Sequence, residues 1–551
     1  MNMVHRHGRG QLALVPLAAL LATALPGHAF EIDTGTSGLK VRWDNTLRYS
    51  TAVRVKDRDP HVYAGAATGP WAAGATRDIN NDDGDRNFSR GLVSNRLDLY
   101  TELDIAYRDF GVRTSAAAWY DSVYNGDTDN TSPATVNKLD PSTYRRFAPE
   151  TTQQHGRNAE LLDLFAFGKF LGETTPVTFR VGRYSQIWGE TLFFGSNGLA
   201  GGMAPTDIVK LQSVPTSTAK ETTMPVGQAG GQVQLRSNLT AAAYYQFEWR
   251  ANRFPALGSY FSTADILFPG AEMGYFGPFR TPHVPNYKAK DNGQFGLSLR
   301  YTPEWLDADL GVYAIRYHDK SPKLYITAPA GLLQEVYPQG IQAYGASFAT
   351  NFGEAAVAGE VSLRHNMPLI SVAQAANAGF DNNGNPGYAV GKSAHANVNL
   401  LYTLPRTDLW QGGTWLAEVA YNRRVSIEKR AQALDPMGTR DAYSMRTVFS
   451  PLYLNVLPGL DLSVPIGLSY TPRGSRSSVL GTGFGVENGG DFSVGVNGTY
   501  QQVWDLRLTY VQYYGTPGPG TTALAGVGTV QTYLQALSDR NFVSFSVRRT
   551  F

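Results

Sequence analysis

The sequence predicts an all-β fold, a transmembrane antiparallel β-barrel of about 18 strands (within 16–20) with long outer loops. Three observations predict it. First, the final stretch, NFVSFSVRRTF, places Val543, Phe545, Val547 and Phe551 on one parity and Ser544, Ser546, Arg548 and Thr550 on the other. A period of two marks a strand with one apolar and one polar face. Such a strand left as a bare edge invites aggregation, whereas a closed barrel has no edge. Second, the same alternation recurs in pairs of segments, joined inside each pair by a short turn and between pairs by a long connection. Third, charged residues are only 17%, aromatics are 12% with 30 Tyr, and Gly numbers 58. Lipid-facing strands with aromatic girdles and Gly-rich loops produce that mixture.

Composition also excludes classes. A net charge of +2 offers no basic surface for nucleic acid. With no Cys there is no disulfide framework, thiolate metal site or Cys nucleophile.

At the start, Arg6 and Arg9 precede an apolar run from Gln11 to Leu25, and Gly27-His28-Ala29 supplies small residues for cleavage. This reads as a signal peptide, 1–29, cut between Ala29 and Phe30. Residues 30–551 are then expected to form a single barrel domain in an outer membrane.

The strands follow in order. In 39–49, Leu39, Val41, Trp43, Leu47 and Tyr49 alternate with Lys40, Arg42, Asp44, Thr46 and Arg48. Charge at every second position suits a wet lumen. Hairpins are expected at 97–107 with 112–120, 161–170 with 176–184, 229–236 with 239–250, and 293–302 with 309–318. Others are expected at 341–351 with 355–365, 393–404 with 413–423, 446–457 with 460–471, and 491–501 with 504–514. The alternation in 161–170 is mixed, and Pro451 interrupts 446–457. Aromatics near strand ends on the apolar parity, among them Trp43, Tyr49, Tyr107, Tyr120, Trp249, Tyr317, Trp415 and Phe551, are expected to anchor at the headgroups. Phe551 is also the expected terminal assembly signal.

Several long stretches carry a family resemblance. LKVRWDNTLRYS at 39–50, DDGDRNFSRGLVSNRLDLYTELD at 82–104, SAAAWYDSVYN at 115–125, GRYSQIWGETLFFGSNGLAGGMAPTDIVKLQSVP at 182–215 and AAYYQFEWRANRFPALGSYFS at 242–262 resemble the domain-of-unknown-function family 1302. The resemblance implies a Gram-negative outer-membrane β-barrel. It also implies a periplasmic or outer-membrane lipoprotein and an inner-membrane exporter of the resistance-nodulation-division type as partners, and traffic in hydrophobic or lipid-like compounds. Outer-membrane lipids, lipopolysaccharide and the barrel assembly machinery are the other expected partners; nucleic acid and cofactors are not.

Two constellations are candidates for function. The connection 185–228 holds Trp188, Glu190, Asn197, Pro205, Asp207 and Lys210 and the Gly-rich FFGSNGLAGGM. Pro205 near a start, Asp207 in a first turn and apolar Ile208, Val209 and Leu211 suggest a short helix. A long loop with its own apolar residues needs a surface to pack on, and a barrel this wide can hold it; it is expected to fold inward as a gate, the alternative being an outer loop packed on its neighbours. The second is the polar parity, where Arg42, Arg48, Arg96, Arg113, Arg180, Arg300, Arg316 and Arg364 face Asp44, Asp98, Glu102, Asp104, Glu248, Glu360 and Glu418. Such arginines either guide carboxylates or cross-brace the lumen, and the near balance of signs favours bracing. The Asp/Asn loop 78–85 has calcium-like oxygen donors, but Gly84 and Ser89 do not fit a standard calcium loop, so a solvated turn is expected.

No catalytic motif appears: no Gly-x-Ser-x-Gly, no His-Glu-x-x-His, and only lone lumen-facing His318 and His395. The first expectation is a non-enzymatic channel or handover component for hydrophobic or amphipathic compounds. The alternative is a porin for small carboxylated solutes, and a lipid hydrolase is the least favoured.

Overall fold

The computed structural model describes residues 30–32, 34–63, 79–172, 175–214, 217–276, 279–327, 331–376, 379–524 and 526–551. The expected signal peptide lies outside them. Among the described residues, one antiparallel sheet closes on itself through eighteen strands. They are β1 (Leu39–Arg54), β2 (Gly91–Tyr107), β3 (Phe110–Asp121), β4 (Arg157–Leu171), β5 (Pro176–Tyr184), β6 (Val226–Arg236), β7 (Leu239–Gln246), β8 (Gln294–Tyr301) and β9 (Ala308–Tyr317). The second half comprises β10 (Ile341–Phe352), β11 (Ala355–Pro368), β12 (Val390–Thr403), β13 (Gly412–Lys429), β14 (Asp441–Leu457), β15 (Leu460–Ser463 with Ile466–Tyr470), β16 (Gly490–Tyr500), β17 (Trp504–Tyr514) and β18 (Phe542–Thr550).

Closure falls where the terminal pattern places it. β1 pairs with β18 from Thr46↔Thr550 to Arg54↔Phe542. Below that ladder, Asn45 and Phe551 exchange both backbone hydrogen bonds at 2.8 Å. Lipid offers no partner for a backbone amide, so a spanning sheet must satisfy every one internally. Phe30–Ile32 pairs with Val41–Trp43 of β1.

The wall shows its apolar parity outward. Leu297, Val312 and Leu508 are 59%, 54% and 50% exposed although they are central strand residues, which is the reverse of a soluble core and the signature of a lipid-facing belt. The mixed alternation of 161–170 has a local cause. Ala116 pairs with Leu161 but Thr114 pairs with Leu164, so β4 carries one extra residue in a bulge. The bulge resets the parity, and both Leu161 and Leu164 face lipid. Pro451 does not break β14, where it pairs with Gly413; the interruption comes one strand later, between the two halves of β15, at Val464-Pro465.

Four expectations are corrected. Trp249 is not a girdle residue: β7 ends at Gln246, and Trp249 is buried on Tyr337 with ring centroids 4.8 Å apart. Tyr49 is buried too, its hydroxyl donating to Asn95 Oδ1 at 2.9 Å. In β9 both faces are apolar, so the parity was misassigned: Val312 faces lipid, whereas Tyr313, Ile315 and Tyr317 face inward. Arg316 therefore shares the outward parity and donates to the Gly293 carbonyl at 2.7 Å at the rim. Finally, the Asp/Asn loop is no solvated turn, because Ile79 to Asn87 are all buried.

That last correction has an electrostatic cause. Asp85 sits 3.2 Å from Arg54 and 2.9 Å from Arg540, and Asp539 lies 2.9 Å from Arg54, all four side chains fully shielded from solvent. This network ties the first long connection to the last one, directly above the β1–β18 seam. Removing one partner of a buried charge network costs about 3–5 kcal/mol.

Two substitutions check this architecture. Leu508→Arg is expected to destabilise the folded barrel by about 2–4 kcal/mol, the cost of arginine at mid-bilayer, measured by denaturant titration in lipid. Phe551→Asp is expected to abolish assembly, measured as loss of the heat-modifiable folded band; normal insertion would remove the closure role given to the terminal residue.

Candidate functional site

The chain leaves β5 at Tyr184 and rejoins the wall at Val226, so Val226–Gln228 belong to β6 rather than to the connection. Between them the segment runs through the barrel interior. The wall side chains that clamp it, Glu360, Arg364 and Glu418, lie on an inward parity, opposite lipid-facing neighbours such as Val361, Val398 and Val419.

Two carboxylates hold its first half. Glu360 of β11 accepts the backbone N–H of Glu190 at 2.7 Å and of Leu199 at 2.8 Å. Glu418 of β13 accepts the Thr191 hydroxyl at 2.8 Å, the amides of Leu192 and Phe194 at 3.1 Å each, and the amide of Phe193 between them. Successive backbone N–H groups aimed at one carboxylate form an anion nest. The following turn is held by Arg364 of β11, which donates to the carbonyls of Ser196, Asn197 and Gly198 at 3.1, 2.6 and 2.9 Å. Amides point to acids and carbonyls to the guanidinium, so the turn's exposed backbone is satisfied by side chains of the far wall.

Asn197 is the hub of the turn and is fully buried. Its Nδ2 donates to Asn397 Oδ1 at 2.8 Å and to the Tyr421 carbonyl at 3.1 Å; its Oδ1 meets His395 Nδ1 at 2.9 Å and Asn422 Nδ2 at 3.2 Å. His395 is thus a structural partner, with its other nitrogen 2.8 Å from Ser393 Oγ. His318 sits in the rim, between the Asn292 carbonyl at 2.9 Å and the Gly340 amide at 3.0 Å, not in the lumen.

The apolar residues of the segment find apolar wall. Leu199 and Met203, at the short helix Ala200–Met203, pack on Tyr244, Tyr313, Ile315, Tyr317, Ile341 and Ala343. Trp188 lies against Tyr244 at 5.0 Å and Tyr313 at 6.0 Å between ring centroids. Gly202 sits so close to Ile315 and Tyr317 that a Cβ there would meet each at 2.9 Å. The apolar inner face of β9 is therefore a docking surface.

The second half turns toward the opposite wall. Pro205 accepts from the Met224 amide at 2.8 Å. Asp207 caps the helix Ile208–Ser213 by accepting the Lys210 amide at 2.9 Å, and pairs with Arg253 at 3.0 Å. Lys210 donates to the Glu221 carbonyl at 2.6 Å. At the helix end, the Gln212 carbonyl accepts from Tyr513 of β17 at 2.9 Å. The six residues singled out from sequence fall on one segment but in two groups: Trp188, Glu190 and Asn197 at the far-wall clamp, and Pro205, Asp207 and Lys210 at the second helix.

The arginines divide likewise. Arg42 pairs with Asp44 at 2.7 Å, Arg48 with Asp98 at 3.1 Å, Arg96 with Asp98 at 2.8 Å and Arg113 with Asp104 at 2.6 Å, bracing β1–β3. Arg300 reaches Glu190 at 3.2 Å, and Arg180 stacks over Phe165 and Tyr184. Arg507 and Arg548 were not singled out, although both lie on the polar parity of recognised strands. Arg548 binds Asp505. Arg507 makes no ion pair or side-chain hydrogen bond among the described residues. With Arg48, the pair borders a recess of about 130 Å³ between Ser213–Val214 of the segment and the wall of β16, β17 and β18.

A closed barrel with a lipid-facing belt and a polar, segment-filled interior defines the class: an outer-membrane β-barrel. The family model described as a protein of unknown function, DUF1302, matches residues 11–551, and the chain belongs to that family. Comparison with curated proteins finds no match. Among solved structures, OccAB4 of Acinetobacter baumannii is 10% identical, covering 96% of this chain and 100% of that one, at a TM-score of 0.41. OpdK of Pseudomonas aeruginosa, solved with vanillate, is 9% identical over 93% of this chain and 98% of that one, at 0.38. OmpF of Salmonella typhi, in complex with daunomycin, is 8% identical over 95% and 100%, at 0.36.

The clamp makes a direct prediction. Glu418→Ala removes the acceptor of four donors on the segment and of the Asn397 side chain, and is expected to free the segment's first half, raising single-channel conductance several-fold in planar bilayers. Conductance unchanged in that variant and in Glu360→Ala would show that the segment does not depend on these carboxylates.

Proposed function

We propose that the protein is an outer-membrane channel whose lumen-crossing segment confines passage to a narrow polar route, and that this route favours small carboxylated or otherwise anionic solutes. The observation that carries the reading is the recess beside Ser213 and Val214, bordered by Arg48, Arg507 and Arg548 with Asp505, where Arg507 makes no ion pair among the described residues. A guanidinium in a confined lumen offers planar, bidentate recognition of a carboxylate. Cationic side chains at a constriction also raise the local concentration of anions. The paired arginines of β1–β3 fit bracing instead, because each already has a carboxylate.

Liposome swelling and bilayer reversal potentials test this. The wild type is expected to prefer anions over cations, and Arg507→Glu to reduce that preference at least about threefold. Salt screens exposed charges over about 10 Å at 0.1 M, so the preference should fall at high ionic strength. Absence of any conductance, or a preference untouched by Arg507→Glu, counts against the reading.

Handover of hydrophobic compounds with a periplasmic lipoprotein and an inner-membrane exporter is the second reading. One observation favours it: a shallow apolar notch on the lipid face, where Ala116 and Ala118 lie between Leu99 and Leu161 beside the β4 bulge. Co-purification of a lipoprotein with a non-conducting barrel is the outcome that would select it.

A further inference from the structure

Away from the lumen, three long connections meet over one end of the barrel at a group of buried acids. Asp82 and Asp83 come from the β1–β2 connection and Asp265 from the β7–β8 connection. One carboxylate oxygen of each lies within 4.8 Å of the others. Their exposures are 0%, 2% and 0%.

Each carboxylate uses one oxygen on a protein donor and leaves the other without one. The Oδ2 atoms accept from Arg86 Nε at 2.6 Å for Asp82, from the Asn137 amide at 3.0 Å for Asp83 and from the Asp83 amide at 3.0 Å for Asp265. The three Oδ1 atoms have no hydrogen-bond partner among the described residues. Asp265 is the informative member. It arrives from a separate loop and is wholly buried, and its carboxylate converges on those of Asp82 and Asp83. Asn137, fully buried on a third connection and in contact with Asp83, also keeps its side-chain oxygen unpartnered.

The surrounding charge does not balance. The acids packed here are Asp82, Asp83, Asp85, Asp265 and Asp539; the buried guanidiniums are Arg54, Arg86 and Arg540. Arg54 and Arg540 are engaged by Asp85 and Asp539, and Arg86 by Asp82. The Lys138 ammonium donates to the carbonyls of Thr143 and Arg146. Among the described residues, Asp83 and Asp265 have no ion-pair partner of their own, which is costly in a protein interior.

We propose that Asp82, Asp83 and Asp265 bind a calcium ion that fastens these outer connections to one another. The donors are all hard oxygens, which suits Ca²⁺. The site is enclosed, and Mg²⁺ gives up its water reluctantly, so calcium is the better fit. The competing occupant is the proton, since burial pushes Asp82 up to about 8 and Asp83 to about 6.

The test uses the full-length protein in detergent micelles, stripped with EDTA and equilibrium-dialysed against radiolabelled calcium chloride, with excess magnesium chloride in a parallel arm. About one calcium per chain is expected to be retained, with magnesium failing to displace it. Asp265→Asn is expected to weaken retention at least tenfold, while Asp381→Asn, in an exposed loop, leaves it unchanged. Protease cleavage in the loops should rise with EDTA and fall again with calcium. A wild type that retains no calcium and whose loops are indifferent to EDTA overturns the site; so does retention unaltered by Asp265→Asn. If that variant does not fold, wild-type retention and loop protection decide alone.

Discussion

The interior of this barrel is organised by two carboxylates facing one irregular turn. An eighteen-strand wall by itself encloses a wide aqueous hole, and a forty-residue connection placed inside it would ordinarily leave many backbone groups in search of partners. Glu360 and Glu418 absorb the amides of that connection, and Arg364 absorbs its carbonyls. The segment needs little regular structure of its own because β11, β12 and β13 supply the acceptors and donors a helix would otherwise provide. Its apolar residues are then free to pack on the inner faces of β7, β9 and β10, which explains why those strands carry Tyr244, Tyr313 and Ile315 where a water-filled lumen would show polar groups.

This arrangement separates two uses of charge. On β1–β3, carboxylate and guanidinium sit on the same or adjacent strands and neutralise each other locally, which stiffens the wall. Across the barrel, acids are spent on backbone amides and a cation on carbonyls. Beside the recess, Arg507 is left with no ion pair or side-chain hydrogen bond among the described residues. The field inside such a lumen depends on the few groups that bracing leaves over, not on the total count of arginines.

The strand pattern was legible nearly in full, because a period of two survives wherever one face meets lipid and the other water. It failed where that premise fails. In β9 both faces are apolar, one toward lipid and one toward the segment, so Arg316 and Tyr317 were given the wrong sides. In β4 the bulge shifts the parity midway and blurs the alternation. Glu360 and Glu418 were recognisable as lumenal, but nothing local to them reveals that their partners are backbone amides more than 160 positions away. The Asp/Asn loop was misjudged for a similar reason: its composition is that of a solvated turn, and only Arg54, Arg540 and Asp265, all remote in sequence, make it an interior. Arg507 and Arg548 lay on recognised strands and needed only the position of Ser213 to acquire meaning.

The short segment Phe30–Ile32 bears on how such a barrel can be completed. β2 covers one edge of β1 along its whole length, so Phe30–Ile32 must lie on the other edge, beside Val41–Trp43, in line with the β18 ladder that begins at Asn45 and Thr46. β1 is thus served by two different pieces of chain end to end. The piece next to it in sequence can fold back as soon as it is made, while the other follows seventeen strands later. The seam is partly masked from the outset, and the stretch left open to intermolecular pairing during biogenesis is shortened to what β18 alone can fill.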